Sequence, residues 1–234
     1  MSYRVSFPNA QNHYVDVEAR IPTAGVGDLE LFLPVWTPGS YMVREYSRQI
    51  ESIQFSGAED GKVLDYEKTR KNRWLVHAGR SAAVTARYRC YCREMSVRNC
   101  WVESDFALLT GAQLFLAPVG QLQRPFQVQV DLPSNWKRVE TGLAPLGNNR
   151  FEADDFDELV DCPLVAGSPT VYDFQVSGLT HRLVNEGEGG IWDGARSAKD
   201  AEKIVETVHK MWGGVVPYAN YAPKTYTFFN LLTQ

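Results

Sequence analysis

Apolar and polar residues alternate with a period of two along most of the first two-thirds of the chain. The run from His13 to Ile21 keeps this rhythm, as do Val84 to Arg93 and Phe126 to Leu132. Each predicts a strand with one buried and one wet face. Shorter strands are expected over Arg4 to Phe7, Leu29 to Val35, Ser52 to Phe55, Arg73 to His77 and Gln113 to Leu116. Clusters rich in Pro, Gly and Asn separate them, including Pro8-Asn9, Thr37-Pro38-Gly39-Ser40 and Gly147-Asn148-Asn149. Many short strands punctuated this way predict a mainly β protein, an antiparallel sandwich or open saddle.

The pattern changes near residue 160. Pro163 to Pro169 has the character of a linker or of a strand entering a new sheet. Thr170 to Val176 and Leu179 to Val184 predict a hairpin about Ser177-Gly178. A helix over 200–212 follows, because Ala201, Ile204, Val205, Val208, Met211 and Trp212 fall on one stripe. Ser197 and Asp200 resemble a capping box, and Gly213-Gly214 supplies a stop. A last strand is expected over Lys224 to Leu232. The predicted organisation is a β domain over 1–167 and the opening of an α+β domain over 168–234. About 65 residues with one helix is a thin core, so the second unit is expected to be incomplete and prone to self-association.

Composition narrows the function classes. The 234 residues are 44% hydrophobic and 22% charged, with a net charge of −4. That excludes a disordered chain, and no basic stripe for nucleic acid stands out. Phe228 to Leu232 is far too short to span a bilayer, and Met1 to Phe7 has no signal-peptide core. A cytoplasmic protein with no membrane or nucleic-acid partner is expected. Four cysteines without a C-x-x-C predict reduced thiols rather than a zinc ribbon or disulfide framework.

Candidate chemistry is sparse. His13, His77, His181 and His209 have no i, i+4 partner, and the sequence contains no H-E-x-x-H, G-x-S-x-G or Walker loop. His181 is the most ligand-like, with Asp173 and Glu186 as conceivable neighbours, but a hydrogen-bonded histidine is the ordinary reading. His209 is expected off the apolar stripe. The acidic run Asp154 to Glu158 predicts a solvated turn or a helix start. The segment Leu33 to Arg48 stands apart. Two prolines and a glycine fix a rigid turn, and Trp36, Tyr41, Arg44 and Glu45 give it bulk and charge. A corner that defines the fold and a ligand contact both account for it.

Pro34-Val35-Trp36-Thr37-Pro38-Gly39-Ser40-Tyr41-Met42-Val43-Arg44-Glu45 closely resembles the N-terminal signature of the glycyl-aminopeptidase family of zinc metallopeptidases. These are relatives of thermolysin-like aminopeptidases, often with a PDZ domain. Tyr88 to Trp101 followed by Gly111 to Leu116 resembles the family's long strand and the segment after it. Leu159 to Gly167 resembles its passage into the catalytic domain, and Lys224 to Phe229 the strand before its active-site elements. The resemblance implies a peptide substrate and a zinc ion in the complete enzyme. The family's H-E-x-x-H, which supplies two zinc ligands and the general base, has no counterpart here, nor does the Gly-rich Glu segment. The expectation is therefore a truncated, non-catalytic N-terminal portion. It carries no catalytic or metal residue and no cofactor, and Trp36, Tyr41, Arg44 and Glu45 are its substrate-cleft candidates. The alternatives are an aromatic-rich β-sandwich module binding peptide or carbohydrate, and a structural or partner-binding protein.

Overall fold

The computed structural model describes residues 1–39, 42–214 and 225–232. Strands, numbered in chain order, form four sheets among these residues. A seven-stranded sheet runs β14 (Ala144–Gly147), β15 (Arg150–Ala153), β12 (Phe126–Asp131), β1 (Ser2–Ser6), β2 (Tyr14–Pro22), β7 (Ala83–Tyr91) and β4 (Ile50–Gly57). A four-stranded sheet runs β11 (Ala117–Pro118), β3 (Asp28–Phe32), β6 (Arg73–His77) and β5 (Tyr66–Arg70). A five-stranded sheet runs β13 (Arg138–Thr141), β16 (Leu164–Gly167), β10 (Ala107–Leu109), β9 (Asn99–Val102) and β8 (Arg93–Ser96). The fourth sheet is β17 (Thr170–Val176), β18 (Leu179–Glu186) and β19 (Thr225–Leu231). Pairing is antiparallel except for β1 with β12 and β18 with β19.

The period-two strands form as their patterns require. Val15, Val17, Ala19 and Ile21 of β2 face Cys90, Tyr88, Ala86 and Val84 of β7, and all eight are buried. The opposite face is wet and carries cross-strand charge, such as Arg87 with Glu18 at 2.7 Å. One continuous core links the first three sheets, through Leu31, Trp74, Phe115, Phe126 and Leu164 among others. A second, smaller core holds Phe174, Val176, Leu183, Ala198 and Val205 under helix α3 (Gly194–Met211).

Several local expectations are corrected. Gln113 to Leu116 is not a strand, because Gly111–Leu114 makes one helical turn, α1. A Cβ on Gly111 would lie 2.6 Å from the Leu159 carbonyl oxygen, so the chain approaches too closely for any side chain. Gln113, fully enclosed, accepts from the Cys100 amide at 2.8 Å and so stands in for a strand neighbour. The Tyr88 hydroxyl donates to the Leu114 carbonyl, and the Tyr3 hydroxyl to that of Leu116. Tyr88 to Trp101 is likewise not one long strand. It is the end of β7 followed by the β8–β9 hairpin. Leu164–Gly167 enters no new sheet, since β16 pairs with β10 and β13 of the first part. Asp154 to Glu158 does start a helix, α2 (Phe156–Asp161), capped by the Asp155 carboxylate accepting from the Glu158 amide.

Helix α3 begins at Gly194, nearly two turns earlier than its pattern suggests. Its cap is Asp193, which accepts from the Arg196 amide, rather than Ser197 with Asp200. Its buried face is also rotated. Ala198, Val205 and His209 pack inward, while Ile204 is 64% and Met211 75% exposed. Small residues on the inner face let the helix lie close to the sheet, leaving the bulkier ones at its flank. His209 is therefore on the buried face, 3.2 Å from the Ser177 hydroxyl, not off it.

The first part and the hairpin of β17 and β18 touch through charge. Arg182 donates to Glu140 of β13 at 2.9 Å and to Asp173 at 2.9 Å. At the far end of β18, the Glu186 carboxylate accepts from the Ser168 amide at 3.1 Å. A Cβ on Gly167 would lie 2.8 Å from the Phe106 Cβ as well as from that carboxylate, and the Phe106 Cβ cannot swing away, so this junction needs glycine. Burial raises the Glu186 carboxyl above its ordinary range. No helix among the described residues is long and apolar enough to cross a membrane.

Candidate functional site

The turn singled out in the sequence leaves the end of β3. Leu33 exchanges hydrogen bonds with Asn72, its amide donating to the Asn72 carbonyl at 2.9 Å and its carbonyl accepting from the Asn72 side chain at 2.7 Å. The Arg44 amide then donates to the Val35 carbonyl at 2.7 Å and closes the loop at its base. Gly39 has a φ of 81°, which only glycine adopts readily. The chain leaves through a 3-10 turn, Tyr46–Gln49, whose Tyr46 and Ser47 are buried. Both ends are thus pinned to the core, and Trp36, Met42 and Val43 project between them. Burial pushes the Tyr46 phenol up, against the opposing pull of the nearby Arg44 and Arg98 charges.

The structure places Trp36, Arg44 and Glu45 on this projection but does not make one cluster of them. Trp36 is 50% exposed. Glu45 turns to Lys71, with 3.1 Å between the charged atoms. Arg44 forms no ion pair among the described residues, and its Nε is buried without a hydrogen-bond acceptor. Tyr41 lies outside the described residues. Sequence reasoning missed the partner of the turn, the β8–β9 hairpin. There Arg98 donates from Nη2 to the Gly39 carbonyl at 3.1 Å. Val97 stands exposed at the hairpin tip, as Met42 and Val43 do on the turn. The contact joins residues 59 positions apart, so no local signal could have revealed it.

His13 and His77 stand apart, His181 and His209 lie near each other, and each of the four has a hydrogen-bond partner. His13 Nδ1 lies 2.6 Å from the Val102 carbonyl oxygen. His77 sits 2.9 Å from Asp28, which raises its pKa. His181 is buried, stacked on Phe174, with Nδ1 3.0 Å from the Leu179 carbonyl. Burial lowers its pKa, and His209, with ring centres 6.0 Å apart, lowers it further. Strand register puts Asp173 and Glu186 on the opposite face of the sheet from His181, so they cannot complete a ligand set. Among the described residues no three His, Cys, Asp or Glu side chains form a group able to hold a metal. The described residues therefore offer no ligand set for a zinc ion. All four cysteines are free, and Cys90, Cys92 and Cys100 are buried. Burial, aided by nearby acids, has the Cys162 thiol pushed up to about 12.

The family described as Peptidase M61 N-terminal domain matches residues 2–168. The chain belongs to the M61 peptidase family. The match takes in the Trp36 to Arg48 turn, the β8–β9 hairpin and all strands through β16. The M61 chain is also similar to a solved aminopeptidase N family protein from Idiomarina loihiensis. The TM-score is 0.86 and the identity 28%, covering 99% of this chain and 39% of that one. Native yeast LTA4 hydrolase matches with a TM-score of 0.48 at 11% identity, over 99% of this chain and 37% of that one. The chain thus spans well under half the length of the solved relatives it matches. No curated protein matches it.

Proposed function

We propose that this M61 chain is a non-catalytic N-terminal portion of a zinc metallo-aminopeptidase that removes N-terminal residues from peptides. The observation that carries the reading is the family match over residues 2–168, supported by the similarity to an aminopeptidase N family protein. The sequence has no H-E-x-x-H, and the described residues do not make a metal group, so no step of hydrolysis is assigned to them. Their part is to present a wall to the peptide. Trp36, Tyr41, Arg44 and Glu45 are the candidates, on a projection whose two ends are anchored in the core. A domain boundary near residue 167 agrees with the two separate cores. Free, buried thiols suit a reducing compartment such as the cytoplasm.

Metal analysis after dialysis, with a fluorogenic amino-acid amide assay, tests the reading. No stoichiometric zinc and no turnover are expected, and one tightly held zinc per chain overturns it. In a catalytically complete M61 relative, alanine at the position matching Arg44 should lower turnover while the melting temperature stays nearly constant. A large stability loss with normal turnover by the folded fraction would make the turn purely structural.

A further inference from the structure

Two buried imidazoles lie together where the end of α3 meets the hairpin of β17 and β18. Phe174 is stacked on His181 with ring centres 5.2 Å apart, Phe228 lies nearly parallel at 6.4 Å, and His209 of α3 is 6.0 Å away. The Leu179 carbonyl, 3.0 Å from His181 Nδ1, can only accept, so Nδ1 carries the proton and Nε2 is the nitrogen left to take up another. His209 Nδ1 lies 3.2 Å from the Ser177 hydroxyl in the hairpin turn. His209 is also the last buried residue of α3, after Ala198 and Val205, so its seat against His181 and Ser177 is what holds the final turn of the helix down. Among the described residues no carboxylate pairs with either ring. On this face of the sheet β17 offers only Tyr172, tied to Glu188 at 3.3 Å, and β19 only Tyr226, 6.1 Å from His181. Asp173 and Arg182 point to the other face. On α3, Glu206 and Lys210 flank His209 in sequence but pair with each other at 4.0 Å on exposed side chains, and Glu202 stands about two turns back.

We propose that His181 and His209 form an acid-sensitive latch, which docks the last turn of α3 on the hairpin while both rings are neutral and releases that turn when both are charged. The rest of the helix stays seated through Ala198 and Val205. A charge on His209 alone suits the end of a helix, where free carbonyls face it. A second charge, on the enclosed His181, sets two cations 6.0 Å apart with no acid between them, and the helix end is the part able to move away. Burial and the neighbouring His209 both lower the His181 pKa, so the docked state takes up the proton less readily than the open one. Acid therefore favours the open state, beginning below about pH 6.5. The latch belongs to the hairpin–helix unit and does not depend on the aminopeptidase reading.

Amide hydrogen exchange of the full chain at pH 7.5 and 5.5, with the intrinsic rate of each amide divided out, tests the latch. Protection over 207–211 is expected to fall about tenfold at the lower pH, while that of 198–205 and of β2 and β7 holds. His209→Gln can keep a bond to Ser177 without ever carrying charge, and it should abolish the fall. His181→Phe should abolish it too, and stands in if the first variant folds poorly. Unchanged protection over 207–211 overturns the proposal. So does a fall of equal size through all of α3 and the hairpin, which would mean general loosening rather than release of one turn. A fall that persists in His209→Gln overturns it as well, because a single ring would then account for the response.

Discussion

Glu140 is nine-tenths enclosed at the edge of the first part and meets Arg182 of the second at 2.9 Å. Arg182 is itself a third exposed and shares its charge with Asp173. Water therefore screens part of the interaction, and losing one partner costs less than it would in a dry interior. Glu140→Gln is expected to destabilise the folded chain by about 1–2 kcal/mol. Asp173→Asn, at an exposed site, should cost no more than about 1 kcal/mol. Urea unfolding of the two variants under one buffer compares them. The difference is expected because a neutral side chain in place of Glu140 leaves Arg182 facing a buried wall, whereas one in place of Asp173 leaves it facing solvent.

At the scale of elements, α3 separates what a sequence pattern can say from what packing decides. Val205→Ala removes atoms from the small core and should cost about 1–2 kcal/mol. Ile204→Gln, one position along, lies on the open flank and should change stability by no more than about 0.5 kcal/mol. Denaturant midpoints for the hairpin–helix unit would show the contrast. A second expectation concerns acid. The folded state lowers the pKa of His181, so below about pH 6.5 the unfolded chain takes up the proton more readily. Stability should fall from there until folded His181 itself titrates. His209 and Tyr226 are the titratable side chains whose rings lie beside it. Glu186 works in the opposite sense at lower pH, because its raised pKa makes the folded state hold the proton more tightly. His181→Phe should flatten the loss between pH 7.5 and 5.5, measured by thermal unfolding, and leave the Glu186 contribution in place.

The strands of the large sheet were legible because one face is wet, and alternation survives wherever water meets a strand. Gln113 was not legible, since a turn buried on every side shows no alternation and its glutamine is spent on the Cys100 amide. On α3 the periodicity was right in kind, but apolar residues cover a wider arc than the sheet can reach. The candidate turn could be read from its prolines, glycine and aromatics. Its partner Arg98 could not, because a contact between distant segments leaves no mark on either one alone.

For the molecule as a whole, the two cores differ in depth. Strands β2, β7 and β12 are shielded on one face by most of the apolar residues of the chain, while the hairpin–helix unit rests on a handful. Amide exchange should therefore be slower in β2, β7 and β12 than after Ser168. The flank of α3 offers Ile204 and Met211 to solvent beside a cleft of about 330 Å³ lined in part by Leu183, Ala201 and Phe228. Such a surface favours self-association, and light scattering should show mass rising with concentration. Uniform protection through Leu231 in a strictly monomeric chain would refute this division of stability.

The parallel pairing of β1 with β12 sets a timetable for biosynthesis. Val5 pairs with Val130 on one side and Val17 on the other, so the middle of the large sheet joins the earliest strand to one made 124 residues after it begins. At about 5–20 residues per second, that gap lasts roughly 6–25 s on the ribosome. Through that interval β1 and β2 can pair, but the far edge of β1 has no neighbour and the apolar face of the hairpin has no lid. Nascent chains halted before Phe126 should be open to protease and bound by chaperones, and those extended past Ala153 should resist both. A growing M61 chain is in this sense held open at β1 until β12 has been made.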